Sequence, residues 1–201
     1  MLLNNIELLA VWRMMSAIVS PKEKKVSGLK SVIPADSCEL VRSFLHAYQR
    51  KLCDFFEAEE STAYFRQDKW QRDGLGSGLT CVLEGGQVFE QVGVNFSEIS
   101  GSQPPAALLG KKPALAGQPF WGAGVSMVAH PVNPFCPTVH LNYRYFQTAE
   151  HYWFGGGCDL TPYYIFQDDA RHWHQTIKNT MDKHHPSYYP AFKYWCDEYF
   201  Y

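Results

Sequence analysis

His140, Asn142 and Arg144 alternate through the segment TVHLNYRYF (138–146). Side chains alternate across a β-strand, so these three share one face, while Val139, Leu141, Tyr143 and Tyr145 share the other. One face is apolar. The other presents an imidazole, an amide and a guanidinium in a row, at roughly 7 Å spacing. The segment GAGVSMVAHP (122–131) repeats the pattern, with Ser126, Val128 and His130 on one side. A merely solvated sheet face usually holds Lys, Glu and Thr, so this selection favours a binding face. Arg144 suits bidentate contact with a carboxylate. His140 can donate or accept a proton near neutral pH, and Asn142 can orient a polar group. Downstream, HYWFGGGCDLTPYY (151–164) sets three glycines two residues before Asp159. Asp159 can accept hydrogen bonds from ligand N–H groups. Tyr152, Trp153, Phe154, Tyr163 and Tyr164 can supply apolar walls. The chemistry is that of a large, flat or cupped, carboxylate-bearing ligand with N–H groups at its centre. The glycines read either as a floor for close ligand approach or as a tight turn or bulge between aromatic strands.

These residues need elements to position them. ADSCELVRSFLHAYQRKLCDFFEAEE (35–60) reads as a helix capped by Asp36 or Ser37, with Leu40, Phe44, Tyr48, Leu52 and Phe55/Phe56 at helical spacing. The period then changes. LTCVLEGGQVFEQVGVNF (79–96) alternates around Gly85-Gly86, a β-hairpin pattern. Residues 101–120 are rich in Pro and Gly and read as a surface wrap. Two strands, 122–131 and 138–146, flank the loop VNPFCP, and the glycine-bearing stretch adds one or two more. From Gln167 the pattern is helical again. Helix, antiparallel strands, then helices predict an α+β domain with a large, mostly antiparallel sheet. In HWH (172–174), residues i and i+2 on a helix point about 200° apart, so at most one of His172 and His174 joins any site. His46, His184 and His185 read as helix-surface positions.

The 201 residues suffice for one sizeable domain. Eighteen basic residues stand against twenty acidic, net −2, which gives no bulk field for nucleic acid or an anionic membrane. Six cysteines lie apart with no CxxC pair, reading as buried apolar residues in a reducing compartment. In the opening MLLNNIELLAVWRMMSAIVS no positive residue precedes the apolar run, and Glu7 and Arg13 interrupt it. It reads as a helix that docks or frays, followed by a charged linker (21–34). No integral membrane span is expected, and the expected compartment is the cytoplasm rather than the mitochondrion.

WQRDG (70–74), VFEQVGVNFSEISG (88–101), GVSMVAHPVNPFCPTVHLNYRYF (124–146), WFGGGCDLTPYY (153–164), DDARHWH (168–174) and YPAFKYWCDEYFY (189–201) together resemble the oxygen-dependent coproporphyrinogen III oxidase family of haem biosynthesis. The resemblance covers roughly residues 36 to 201. It implies oxidative decarboxylation of two propionates of coproporphyrinogen III to vinyl groups, giving protoporphyrinogen IX. Dioxygen is then the co-substrate, no organic cofactor is needed, and the protein is a homodimer. By position it implies that His140 is the proton donor and that Asp159 engages the pyrrole nitrogens. It makes Ser126, Asn142, Tyr143 and Arg144 substrate-binding. His130, His140 and His174 match histidines that ligate a divalent metal in bacterial members. Residues 82–91 match a segment linked to dimer formation. The family pattern continues past a block like DEYFY with another histidine, a Gly-Gly-Arg substrate segment and further dimer contacts. Residues 36–201 therefore read as a single catalytic domain lacking that C-terminal part, with 1–35 as an extension. GLGSGLTCV (74–82) departs slightly from a more glycine-rich pattern. Two other readings stay open: a mononuclear metal oxygenase using His130, His140 and His174, and a non-catalytic porphyrin-binding or dimerising fragment.

Overall fold

A computed structural model describes residues 36–200. The expected N-terminal helix and the linker at 21–34 lie outside the described residues. Two compact units divide the rest, one running to Thr161 and the other starting at Pro162.

The first unit opens with helix α1 (Ser37–Glu59). Its buried stripe is Val41, Leu45, Tyr48, Leu52 and Phe56, spaced by three or four residues as an amphipathic helix requires. That stripe is turned from the expected one: Leu40 is 52% exposed and Val41 takes the inward position. Asp36 occupies the N-cap but makes no side-chain capping bond, and the Ser37 hydroxyl instead donates to Gln147 Oε1 at 2.7 Å. The expected side-chain cap is therefore not formed.

Six strands follow: β1 (Arg66–Arg72), β2 (Gly76–Glu84), β3 (Phe89–Gly101), β4 (Phe120–Pro131), β5 (Thr138–Thr148) and β6 (Tyr152–Thr161). Each pairs antiparallel with the next, in order β1 to β6. The β2–β3 hairpin turns at Gly85, whose φ of 69° is in the left-handed region that glycine tolerates. The 101–120 segment forms the long β3–β4 connection and holds a four-residue helix, α2 (Ala106–Leu109), and a 3-10 turn (Pro113–Leu115). Strand β1, RQDKWQR, was not expected. It is an edge strand with no buried residue, so it carries no apolar alternation to read. The glycine triplet lies inside β6, not at a turn.

One face of the sheet is the core. Val92, Val94 and Phe96 of β3, Val125 and Met127 of β4, and Leu141 and Tyr145 of β5 are buried there. Helix α1 covers this face. Gln49 is 2% exposed and donates from Nε2 to the carbonyls of Leu79 and Val94, at 2.8 and 2.9 Å. His46, expected on the helix surface, lies with its ring centroid 3.9 Å from that of Phe96, and burial lowers its pKa. At the C-terminal end of α1, the Glu60 carboxylate accepts the backbone N–H groups of Ser61, Thr62, Gln87, Val88 and Phe89 and the Thr62 hydroxyl, all within 3.1 Å. One side chain thus ties the helix end to the β2–β3 hairpin.

Of the cysteines, only Cys53 and Cys81 are buried; Cys196 is exposed and the other three are half-buried, although all six are free. The uniform burial expected of them does not hold. The second unit carries α3 (Gln167–Asp182) and α4 (Tyr188–Phe200). No helix among the described residues is long and apolar enough to cross a membrane.

Candidate active site

The face of the sheet opposite α1 holds the residues singled out by type and spacing. Register decides which meet. His140 on β5 lies directly across from Asp159 on β6. Their side chains join, His140 Nδ1 to Asp159 Oδ1 at 2.7 Å. Asp159 Oδ1 also accepts the Thr161 hydroxyl at 3.0 Å. The His130 ring from β4 stands edge-on to His140, with centroids 6.1 Å apart. Sequence reasoning had treated His140 and Asp159 as separate actors. Only the β5–β6 register makes them a pair.

The next row along the strands is Gly157, Asn142, Ser126, Asn95 and Thr80, mutually opposed from β6 to β2. The side-chain carbonyl oxygens of Asn95 and Asn142 are both buried without a hydrogen-bond partner. An orphaned buried acceptor costs about 1–3 kcal/mol, so two in one row need a reason. Ser126 sits between them. Sequence reasoning missed Asn95 and Thr80. The signal was present in VGVNF, where Asn95 has the parity opposite to buried Val92, Val94 and Phe96.

In the third row Arg144 faces Gly124 on one side and Gly155 on the other. Its side chain is exposed and makes no hydrogen bond or ion pair among the described residues. The glycine triplet splits by parity. Gly155 and Gly157 lie on the site face, and a Cβ on Gly157 would meet nothing within 4 Å. Gly156 lies on the core side with φ of 144°, and a Cβ there would come within 1.9 Å of the Asn142 carbonyl oxygen. The triplet is therefore neither a turn nor a bulge: Gly157 leaves room above the sheet, and Gly156 is needed for the strands to pair.

Aromatics close one end of the face. Phe146 stacks on Trp153 with centroids 4.5 Å apart and on Phe120 at 5.3 Å. Trp153 thus lies on the site face. Tyr152 and Phe154 do not. They have the opposite parity and sit against Tyr145 on the core side, at 6.2 and 4.8 Å. Tyr143 is also on that side, 6.1 Å from Tyr48, where burial pushes its hydroxyl well above the usual tyrosine range. The structure does not bring the Tyr143 phenol to the face that carries Asn142 and Arg144.

Tyr163, Tyr164 and His174 belong to the second unit. His172 on α3 is exposed and Trp173 is buried, while His174 is half-buried with Nδ1 3.0 Å from the Tyr189 hydroxyl. The two histidines diverge as helical geometry requires. Among the described residues no group of three or more His, Cys, Asp or Glu side chains is arranged to hold a metal ion.

The fold is thus that of an α+β protein whose exposed sheet face combines a His–Asp pair, an unpaired guanidinium, two orphaned amide oxygens and a stacked aromatic group. The sequence profile described as coproporphyrinogen III oxidase matches residues 40–201, and the chain belongs to that family. It is 48% identical over 168 residues to an oxygen-dependent coproporphyrinogen-III oxidase of Synechococcus sp. (strain CC9902), covering 84% of this chain and 46% of that protein. It is 50% identical over 164 residues to the Drosophila melanogaster protein of the same name, covering 76% and 42%. With coproporphyrinogen-III oxidase 1, chloroplastic, of Arabidopsis thaliana it shares 45% identity over 188 residues, covering 85% and 49%. The chain spans just under half the length of these relatives.

Proposed function

We propose that this chain carries the substrate-holding sheet of an oxygen-dependent coproporphyrinogen III oxidase. Each of two propionate arms would lose its carboxyl group as carbon dioxide and a hydride equivalent from the carbon next to the pyrrole to become a vinyl group, while one dioxygen per arm takes the two electrons and two protons and leaves as hydrogen peroxide. The observation that carries the reading is the 2.7 Å contact between His140 Nδ1 and Asp159 Oδ1, one residue pair along from Asn142 and two from Arg144.

The roles follow from chemistry. The Arg144 guanidinium pairs with a propionate carboxylate. Asn142 and Ser126 orient the arm. Asp159 holds a proton on His140 Nδ1, which leaves Nε2 as the exchangeable position. The Asp159 oxygen outside that bond can accept pyrrole N–H donors. A porphyrinogen is electron-rich, so loss of a pyrrole proton activates it toward dioxygen without an organic cofactor. The aromatic wall excludes water from the reacting arm.

A divalent metal held by His130 and His140 is part of the proposal. His130 and His140 supply two imidazoles, half of a common four-ligand set. Activity that survives thorough chelation would remove the metal from the account. We also propose a homodimer through the hairpin at 82–91, where Val88 is 41% exposed. Sedimentation equilibrium tests it. Six free cysteines support a reducing compartment, read here as the cytoplasm.

The deciding experiment incubates the 201-residue chain with coproporphyrinogen III, with and without air, and follows protoporphyrin. Product under air alone is expected. The span of just under half of each relative favours one second reading, a porphyrin-binding fragment without turnover. Saturable porphyrin binding with no product in air would select it.

A further inference from the structure

We infer that Lys112 is a second carboxylate-binding residue, set over the aromatic end of the site face so that it and Arg144 grip two acid arms of one ligand. The inference rests on the proposed reading of a ligand with several carboxylates.

Lys112 lies in the β3–β4 connection, and its backbone is held at both groups. Its N–H donates to the Leu108 carbonyl at 2.8 Å, and its own carbonyl accepts the Leu115 N–H at 3.2 Å. From that anchored position the side chain places Nζ 5.1 Å from the centre of a Trp153 ring. Trp153 stacks on Phe146, and Phe146 follows Arg144 by one step of like parity along β5, roughly 7 Å. His140–Asp159, Asn142, Arg144 and the Phe146–Trp153 stack therefore follow in that order along the face, with the Lys112 ammonium over the Trp153 ring.

Neither Lys112 nor Arg144 has an acidic partner among the described residues. A lysine ordinarily loses much rotamer freedom when it is fixed. Here the indole face already holds the ammonium by cation–π attraction, so less freedom remains to be lost on binding. The rings beside the two cations offer apolar surface to a pyrrole and its ethylene arm, and each cation terminates such an arm with opposite charge. A monocarboxylate would use one cation; a ligand with acid arms on neighbouring rings uses both.

The test titrates the 201-residue chain with coproporphyrin III, the air-stable oxidised form with four carboxylates, and with its tetramethyl ester. Lys112→Gln should weaken coproporphyrin III about 3- to 10-fold, a charge-assisted contact discounted for its exposure. It should leave the ester unchanged. Lys112→Arg should restore affinity to within about twofold, because a guanidinium also stacks on the indole and pairs with a carboxylate. Trp153→Leu should weaken both ligands, because it removes the wall. If Lys112→Gln binds coproporphyrin III like the parent while Arg144→Gln does not, this inference falls and the proposed function stands. If the parent chain binds neither ligand, or prefers the ester, the proposed function falls and takes the inference with it.

Discussion

Asp159 is the residue whose role changes most between sequence and structure. As a lone acid it suggested contact with ligand N–H groups. Placed 2.7 Å from His140, it also becomes the partner of that imidazole's Nδ1. Asp159→Asn keeps the shape and removes the charge. Turnover of coproporphyrinogen III should then fall at least about 100-fold, the scale of a positioned acid–base group. Affinity for coproporphyrin III should change less than about threefold, since the carboxylate-binding side chains are untouched. Asp159→Ala should abolish turnover. A variant that retains full activity would remove Asp159 from the mechanism. Arg144 should behave the other way round. With no competing acid nearby, its replacement by Gln should weaken porphyrin binding by about 10-fold, read from the Soret band.

Two elements set the geometry that these residues use. Strand β6 pairs with β5 only because Gly156 lets the backbone close against the Asn142 carbonyl. Gly156→Ala should cost more than about 1 kcal/mol in urea unfolding, because φ of 144° and a 1.9 Å approach are both unfavourable for any Cβ. The same change should reduce turnover, since the His140–Asp159 pair depends on that register. At the other end of the sheet, Glu60 clamps the β2–β3 hairpin. The Thr62 hydroxyl, together with backbone N–H groups, holds its carboxyl well below the ordinary value of about 4.5. The folded chain therefore binds fewer protons at Glu60 than the unfolded chain. Its stabilisation is complete above the ordinary glutamate range and is lost as pH falls below it toward the depressed folded value. Glu60→Gln should lower stability at pH 7 and flatten the acid limb of a stability–pH profile. An unchanged acid limb would show that another group controls it.

At the scale of the molecule, the described chain consists of a helix-backed sheet unit and a helical unit. The sheet unit has its own core. Leu52 is 2% exposed in that core, and Leu52→Ala should cost about 2–5 kcal/mol in chemical denaturation. A smaller loss would mean that the site collapses around the missing atoms. The helical unit contributes His174, whose visible partner is Tyr189. The family membership covers both units, from residue 40 to 201.

Much of this was legible in the chain itself. Alternation in TVHLNYRYF put His140, Asn142 and Arg144 on one face of their strand, and alternation in GVSMVAHP put Ser126 and His130 on one face of theirs, because strand parity is a local property of the backbone. The helices at 37–59 and 167–182 followed from local periodicity in the same way, and long ordered motifs carried the family. Parity was equally available for Tyr152 and Phe154, but the grouping by aromatic type passed over it; for Tyr143 parity gave the core face, and only the resemblance made it substrate-binding. Strand β1 was invisible because an exposed edge needs no apolar pattern. What no local pattern could supply was register. Which residue of β6 stands opposite His140, whether Asn95 joins the row of Ser126, and where Lys112 comes to rest are set by pairing and packing between distant segments. Those placements bury or expose whole side chains at once, so only the tertiary structure could decide them.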